Sequence, residues 1–348
     1  MLWLGCGSSD KKADADNGMP TNQGTGASTA PSSDPSSGGT PGSVPVGTTG
    51  GSASVDAGSS AADAGGAVPP VAITCAPRAV AGDATMHFHH VHFNTVDPEA
   101  DLEFFNKYLG AAPVDFCKDA SSNAVTKATK TERGYFLYTK VATAPDPTLN
   151  TYLEHVGWIN QDPNGELKRM VGLGATLFPE GRAQCAEAFK GTACGAMLGL
   201  GPYWFYLQAP SGARIEVAKG PGPAMMGFGH VHMIMGVDLA WYATVTNSAY
   251  KVGNAIAPGA IDMVNHTDVS LLESILAMET VVETRGKPID HIAYSTTDLE
   301  AAKKRIMDAG IKIEEDTSFK SDYGFKSFFL KDKKGIWVEV VEDTAFAP

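Results

Sequence analysis

No long run of Lys and Arg interrupts the sequence, no apolar stretch approaches the ~18 residues that a membrane-spanning helix needs, and between Gly7 and Pro70 there is no aromatic residue. Each absence excludes something. Acidic side chains outnumber basic ones by 39 to 27, for a net charge of −12. Such a chain repels phosphate backbones, and without a basic cluster to offset that repulsion nucleic acid is excluded as a partner. Without a spanning stretch the body of the chain is expected to face water. With no aromatic residue after Trp3, the Gly, Ser, Ala, Pro, Thr and Asp of residues 1–70 cannot bury enough apolar surface to offset their ordering entropy, so this stretch is expected to be a disordered tether. As a Gly/Ser-like coil it would reach about 40–50 Å. The 348 residues suffice for about two domains, so the folded chemistry is expected between about Val71 and Asp343.

The tether begins with Leu4-Gly5-Cys6 followed by small polar residues. This resembles the lipobox of bacterial lipoproteins, in which the cysteine carries a lipid. The resemblance implies an extracytoplasmic location and a membrane connection made only through Cys6; the alternative is a lone thiol in a cytoplasmic protein. Four other cysteines remain, Cys75, Cys117, Cys185 and Cys194. Pairing Cys185 with Cys194 and Cys75 with Cys117 is one reading, and four reduced core cysteines is the other.

What is present is a repeat. His90-Val91-His92-Phe93 leads to Asp97, His155-Val156-Gly157-Trp158 to Asp162, and His291-Ile292-Ala293-Tyr294 to Asp298, all by the same step. A fourth copy, His230-Val231-His232-Met233, reaches Asp238 one residue late. Each His lies in a short apolar alternation that predicts a strand. Each Asp predicts a helix N-cap, with Pro following in Asp97-Pro98 and Asp162-Pro163. Leu102, Phe105 and Leu109 form an apolar stripe, repeated by Leu299, Ala302 and Ile306. Gly110, Gly174 and Gly310 mark the helix ends. Two of the four units finish with Gly and, four residues on, Glu inside a strand: Gly212 with Glu216, and Gly335 with Glu339. Grouping the units by this alternation gives pairs at about 71–219 and 226–343, joined by Gly220-Pro221-Gly222-Pro223.

A βαβββ unit with His on its first strand, and Glu on the last strand of alternate units, resembles the vicinal-oxygen-chelate superfamily of glyoxalase I, fosfomycin-modifying enzymes, extradiol dioxygenases and bleomycin-binding proteins. The resemblance implies an α+β fold of four βαβββ modules in two open-barrel pairs. It implies a divalent metal (Fe, Mn or Zn) held by His90, His155 and Glu216 in the first pair and by His230, His291 and Glu339 in the second. The glyoxalase-like fourth ligand would fall near Tyr138 and Leu272, neither of them suitable. Phe205-Tyr206-Leu207-Gln208-Ala209-Pro210-Ser211-Gly212 resembles part of the extradiol dioxygenase signature and makes Tyr206 a candidate catalytic residue. The His of that signature is missing, with Met197, Leu198 and Gly199 in its place, and the second pair has Phe329 at the Tyr position.

All but His266 of the nine histidines lie on or beside the four first strands. His92 and His232 share a strand face with the ligand candidates, which makes His92 a candidate catalytic or substrate-contacting group; His87 and His89 are expected on the other face. Trp158, Trp204 and Trp337 are expected to pack. The implied function is a metal-dependent enzyme, dioxygenase-like or lyase/transferase-like, acting on a small molecule chelated through vicinal oxygens. The alternative is a metal-free module of the same fold that binds or sequesters a small molecule.

Overall fold

The computed structural model describes residues 76–77, 86–121, 124–147, 150–178, 194–196, 202–220, 226–234, 237–248, 251–252, 262–265, 269–274, 281–317, 321–342 and 346–347. The tether and its Cys6, together with Cys75, Cys185, His266 and Met197–Gly199, lie outside them.

Two large sheets carry the fold. The first runs β1 (Ala76–Pro77), β20 (Phe346–Ala347), β3 (Ala112–Cys117), β4 (Val125–Thr131), β5 (Gly134–Lys140), β2 (His87–Thr95), β16 (Ile289–Thr296), β19 (Trp337–Glu342), β18 (Ser327–Lys331), β17 (Glu315–Thr317). The second runs β12 (Lys251–Val252), β13 (Asp262–Asn265), β14 (Ser270–Ser274), β11 (Gly227–Ile234), β7 (Leu153–Asn160), β10 (Arg214–Lys219), β9 (Pro202–Gln208), β8 (Cys194–Ala196). A short parallel pair, β6 (Asn150–Thr151) and β15 (Val281–Val282), completes the set.

Each module contributes a helix: α1 (Pro98–Leu109), α2 (Pro163–Gly172), α3 (Leu239–Thr246) and α4 (Leu299–Asp308). The carboxylates of Asp97, Asp162, Asp238 and Asp298 accept from the backbone N–H of Ala100, Gly165, Trp241 and Ala301, so all four are N-caps. Gly110 ends α1 in the left-handed conformation, φ 73°.

The modules are as expected, but their partnership is not. β2 of the first module pairs antiparallel with β16 of the fourth, and β7 of the second with β11 of the third. The pairs expected at 71–219 and 226–343 are therefore corrected to first-with-fourth and second-with-third, and residues 68–348 form one compact unit. Side-chain contacts accompany this partnership: Asn94 Nδ2 donates to Asp290 Oδ2 and the Tyr138 N–H to Tyr323 Oη, joining the first module to the fourth. Arg133 of the first module donates to the carbonyls of Met226 and Phe228, and Phe228 packs on both Phe88 and Phe136. The two sheets thus share one apolar core.

Strand alternation sends side chains to opposite faces. Val91 and Phe93 of β2 join Leu102, Phe105 and Leu109 of α1 in this shared core. Each such fully buried side chain is worth about 1.5–3 kcal/mol. Phe116, Ala128, Leu137, Tyr323, Phe325 and Val341 form a separate cluster. Trp158 and Trp337 are buried, as expected for packing. Cys117 is disulfide-bonded; its expected partner, Cys75, directly precedes β1.

Candidate metal centres and their cavity

Because the modules pair first-with-fourth and second-with-third, the ligand candidates meet in new sets. In the first sheet, Glu339 Oε2 lies 3.1 Å from His90 Nε2 and 3.3 Å from His291 Nε2. In the second, Glu216 Oε2 lies 2.8 Å from His230 Nε2 and 3.2 Å from His155 Nε2. The sets His90–His155–Glu216 and His230–His291–Glu339 are thereby corrected by exchange of His90 and His230. The strand register explains this: Ala293 of β16 faces both His90 and Glu339, and Gly157 of β7 faces both His230 and Glu216.

All six groups are buried. Burial opposes ionisation of Glu339, but His291 and His90 outweigh it and hold the carboxyl well below the usual carboxylate range. Glu216 is held low in the same way by His155 and His230. Burial lowers the pKa of His90. It lowers that of His92 well below the ordinary value, with His291 and His90 adding to the effect. Burial also acts to lower His291, but Asp290 and Glu339 reverse it and the net shift is upward.

The donor sets fit a divalent ion. Ligands bonded at right angles to one ion at about 2.0–2.2 Å sit roughly 3 Å apart, and the His–Glu separations are 2.8–3.3 Å. His90 Nε2 and His230 Nε2 are buried without a well-aligned hydrogen bond, although each is beside a carboxylate oxygen. An unsatisfied buried nitrogen aimed at a shared centre is what a ligand leaves when no cation is counted.

Outer contacts fix the rings. His291 Nδ1 donates to Asp290 Oδ1 at 2.6 Å, which leaves Nε2 as the lone-pair nitrogen facing Glu339. Asp290 is itself held by Asn94 Nδ2 at 2.8 Å and the Gly286 N–H at 2.6 Å. The second cluster repeats the device more loosely. Glu154 Oε2 is 3.9 Å from His155 Nδ1, and Arg214 anchors Glu154 at 2.9 Å. An acid directly before the module's His was visible in the sequence, and neither Asp290 nor Glu154 was singled out.

His89, expected on the far face, is instead buried with Nδ1 at 2.8 Å from His90 Nδ1. Tyr206 and Phe329 occupy equivalent places: Tyr206 faces Glu216 across the strands with its ring 5.2 Å from that of His155, and Phe329 faces Glu339 with its ring 5.1 Å from that of His291. The place of the glyoxalase-like fourth ligand is corrected by one residue in the first module, because β5 aligns Leu137 with His92, as β14 aligns Leu272 with His232. Tyr138 instead joins the shared core, with its hydroxyl on Thr129.

A cavity of about 410 Å³ opens on the first cluster. His92, His291 and Glu339 line it, together with polar Asn94, Thr139, Ser327 and Arg285 and apolar Leu137, Phe325 and Phe329. The guanidinium of Arg285 lies over the rings of Phe329 and Trp337 at 4.5 and 4.7 Å, with Asp290 and Glu315 as its ion-pair partners.

Among solved structures, the chain is similar to glyoxalase I from Zea mays at 14% identity and a TM-score of 0.53, over 75% of this chain and 93% of that one. A point mutant of the maize enzyme gives 15% identity and 0.52 over the same shares. The chain thus shares the fold of glyoxalase I. A putative dioxygenase from Bacillus subtilis is also similar, at 12% identity and a TM-score of 0.49, over 75% of this chain and 86% of that one. No family model matches the chain, and no curated protein matches it by sequence. This fold carries clusters of His and Glu that could hold a divalent metal ion, and donor type alone does not identify the metal.

Proposed function

We propose that this vicinal-oxygen-chelate protein is a divalent-metal-dependent enzyme whose working site is the His90–His291–Glu339 cluster. Its substrate would be a small molecule that reaches the metal through two neighbouring oxygens. The observation that carries this reading is the cavity: imidazoles from two modules and a glutamate converge at its floor, and space for a small molecule lies directly above them. A bound divalent ion would supply Lewis-acid stabilisation of charge developing on substrate oxygen.

The chain's own groups then have distinct roles. Asp290 holds His291 in the ligating tautomer. Leu137, Phe325 and Phe329 exclude water from one side of the cavity, while Asn94, Thr139 and Ser327 offer hydrogen bonds that orient a polar ligand. The place of the candidate catalytic Tyr206 belongs here to Phe329, so the cavity reaction proceeds without that hydroxyl. The reading covers a dioxygenation or a lyase/transferase reaction. The rival reading, a metal-free binding module, predicts that the stripped protein takes up the same ligands.

Metal analysis of the purified protein decides between them. The expected result is bound divalent metal, lost from one site in His291→Ala, and a change in the visible spectrum of the Co(II)-loaded protein on adding a catechol or an α-hydroxy ketone. No retained metal, together with equal affinity of the stripped protein for these compounds, would refute the enzyme reading.

We further propose an extracytoplasmic location with a lipid on Cys6. The disulfide at Cys117 supports an oxidising compartment. Membrane fractionation of the native chain and of Cys6→Ala tests the anchor.

A further inference from the structure

We propose that His92 and His232 are themselves metal ligands, so that each centre is built from three imidazoles and one carboxylate. The inference rests on the metal-dependent reading above and specifies its donor set.

The argument begins with an exchange visible in the strand register. In the second and fourth modules, the last strand presents Glu216 or Glu339 opposite the residue two beyond the module's His, and that residue is small, Gly157 or Ala293. In the first and third modules the arrangement is reversed. The last strand presents Leu137 or Leu272, and the residue two beyond the His is a second His, His92 or His232. A donor missing from one strand is therefore supplied from its neighbour, on the same face as the first His because the strand period is two.

In each half, contacts bring the second histidine to the cluster. His232 Nδ1 lies 3.0 Å from His155 Nε2, and donor atoms of His155, Glu216, His230 and His232 all fall within 4.8 Å of one another. In the other half the group within 4.8 Å holds His90, His92 and His291 without Glu339, which reaches His90 and His291 at 3.1 and 3.3 Å, and the rings of His92 and His291 stack with centroids 4.6 Å apart. Thr139 Oγ1 holds His92 Nε2 at 2.7 Å. If Nε2 carries the proton to that hydroxyl, Nδ1 keeps the lone pair. Both second histidines then ligate through Nδ1, whereas the first-strand histidines face their glutamates through Nε2. With four protein donors, a six-coordinate divalent ion would have room for a substrate that binds through two oxygens.

The test counts imidazoles. Protein stripped with chelator is loaded with substoichiometric Cu(II) and examined by pulsed electron paramagnetic resonance, and Zn(II) affinity is measured by chelator competition. The proposal expects three coupled imidazoles per copper in the native chain, two in His92→Asn/His232→Asn, and Zn(II) binding at least tenfold weaker in that variant. Two imidazoles in the native chain overturn it without recourse to any variant and leave the proposed metal enzyme standing. Unchanged Zn(II) affinity in the folded double variant overturns it equally. A native chain that binds neither metal overturns the enzyme reading and this proposal together.

Discussion

His90 Nε2 lies 3.1 Å from Glu339 Oε2, although one belongs to the first module of the chain and the other to the last. The site is therefore closed by the two ends of the folded sequence, while the inner modules close a second site around Glu216. Metal stoichiometry reports this partition. Glu339→Ala is expected to remove one of two equivalents, and His90→Ala/Glu339→Ala no more than that. Glu216→Ala/Glu339→Ala is expected to remove both. Loss of both equivalents in His90→Ala/Glu339→Ala would place His90 in the Glu216 centre and refute the partition.

Asp290 orients His291 without facing the metal position itself. In Asp290→Asn the amide replaces the 2.6 Å charge-assisted contact, and the ring loses its preference for the ligating tautomer. Outer partners of this kind are typically worth about 10–100-fold in metal affinity. Chelator competition should show a loss in that range at one centre, with the other unchanged and the fold intact by circular dichroism.

Gly157 faces His230 across the β7–β11 ladder, and a Cβ at this position would overlap the His230 imidazole. Gly157→Ala should push that ring away from Glu216 while leaving the strand in place, since the backbone here does not need positive φ. Equilibrium dialysis is expected to show weakened binding at the second centre only. Full retention of both equivalents would mean that His230 is not a ligand.

The stripped protein should lose stability in acid partly through His232. Burial, and then the neighbouring His155, bring its pKa from 6.5 down to about 3. Between those values the unfolded chain binds the proton and the folded chain does not, so protonation favours unfolding. The His232 contribution is complete above about pH 6.5 and declines as pH falls toward 3, by up to about 1.4 kcal/mol per pH unit. Urea midpoints measured in chelator at pH 7, 6 and 5 should therefore fall less steeply in His232→Asn than in the native chain. Parallel slopes would show that His232 does not stay neutral in the folded state.

The sequence by itself determined the module. Strand alternation placed His90, His155, His230 and His291 on first strands, and the Asp caps marked where each helix begins. The Gly–Glu spacing put Glu216 and Glu339 on last strands. These are local properties, settled by side-chain period and backbone hydrogen bonding within a few residues. Only the tertiary structure decided which module sits beside which. The four first strands carry nearly the same apolar pattern, so nothing along any one of them distinguishes a neighbour in the next module from one at the far end of the chain. That choice goes with contacts between partnered modules far apart in sequence, such as Asn94 Nδ2 donating to Asp290 Oδ2 and the Tyr138 N–H to Tyr323 Oη. It set His90 beside Glu339 and His230 beside Glu216, because a cluster is defined by proximity in space and each strand specifies only the direction in which its side chains point.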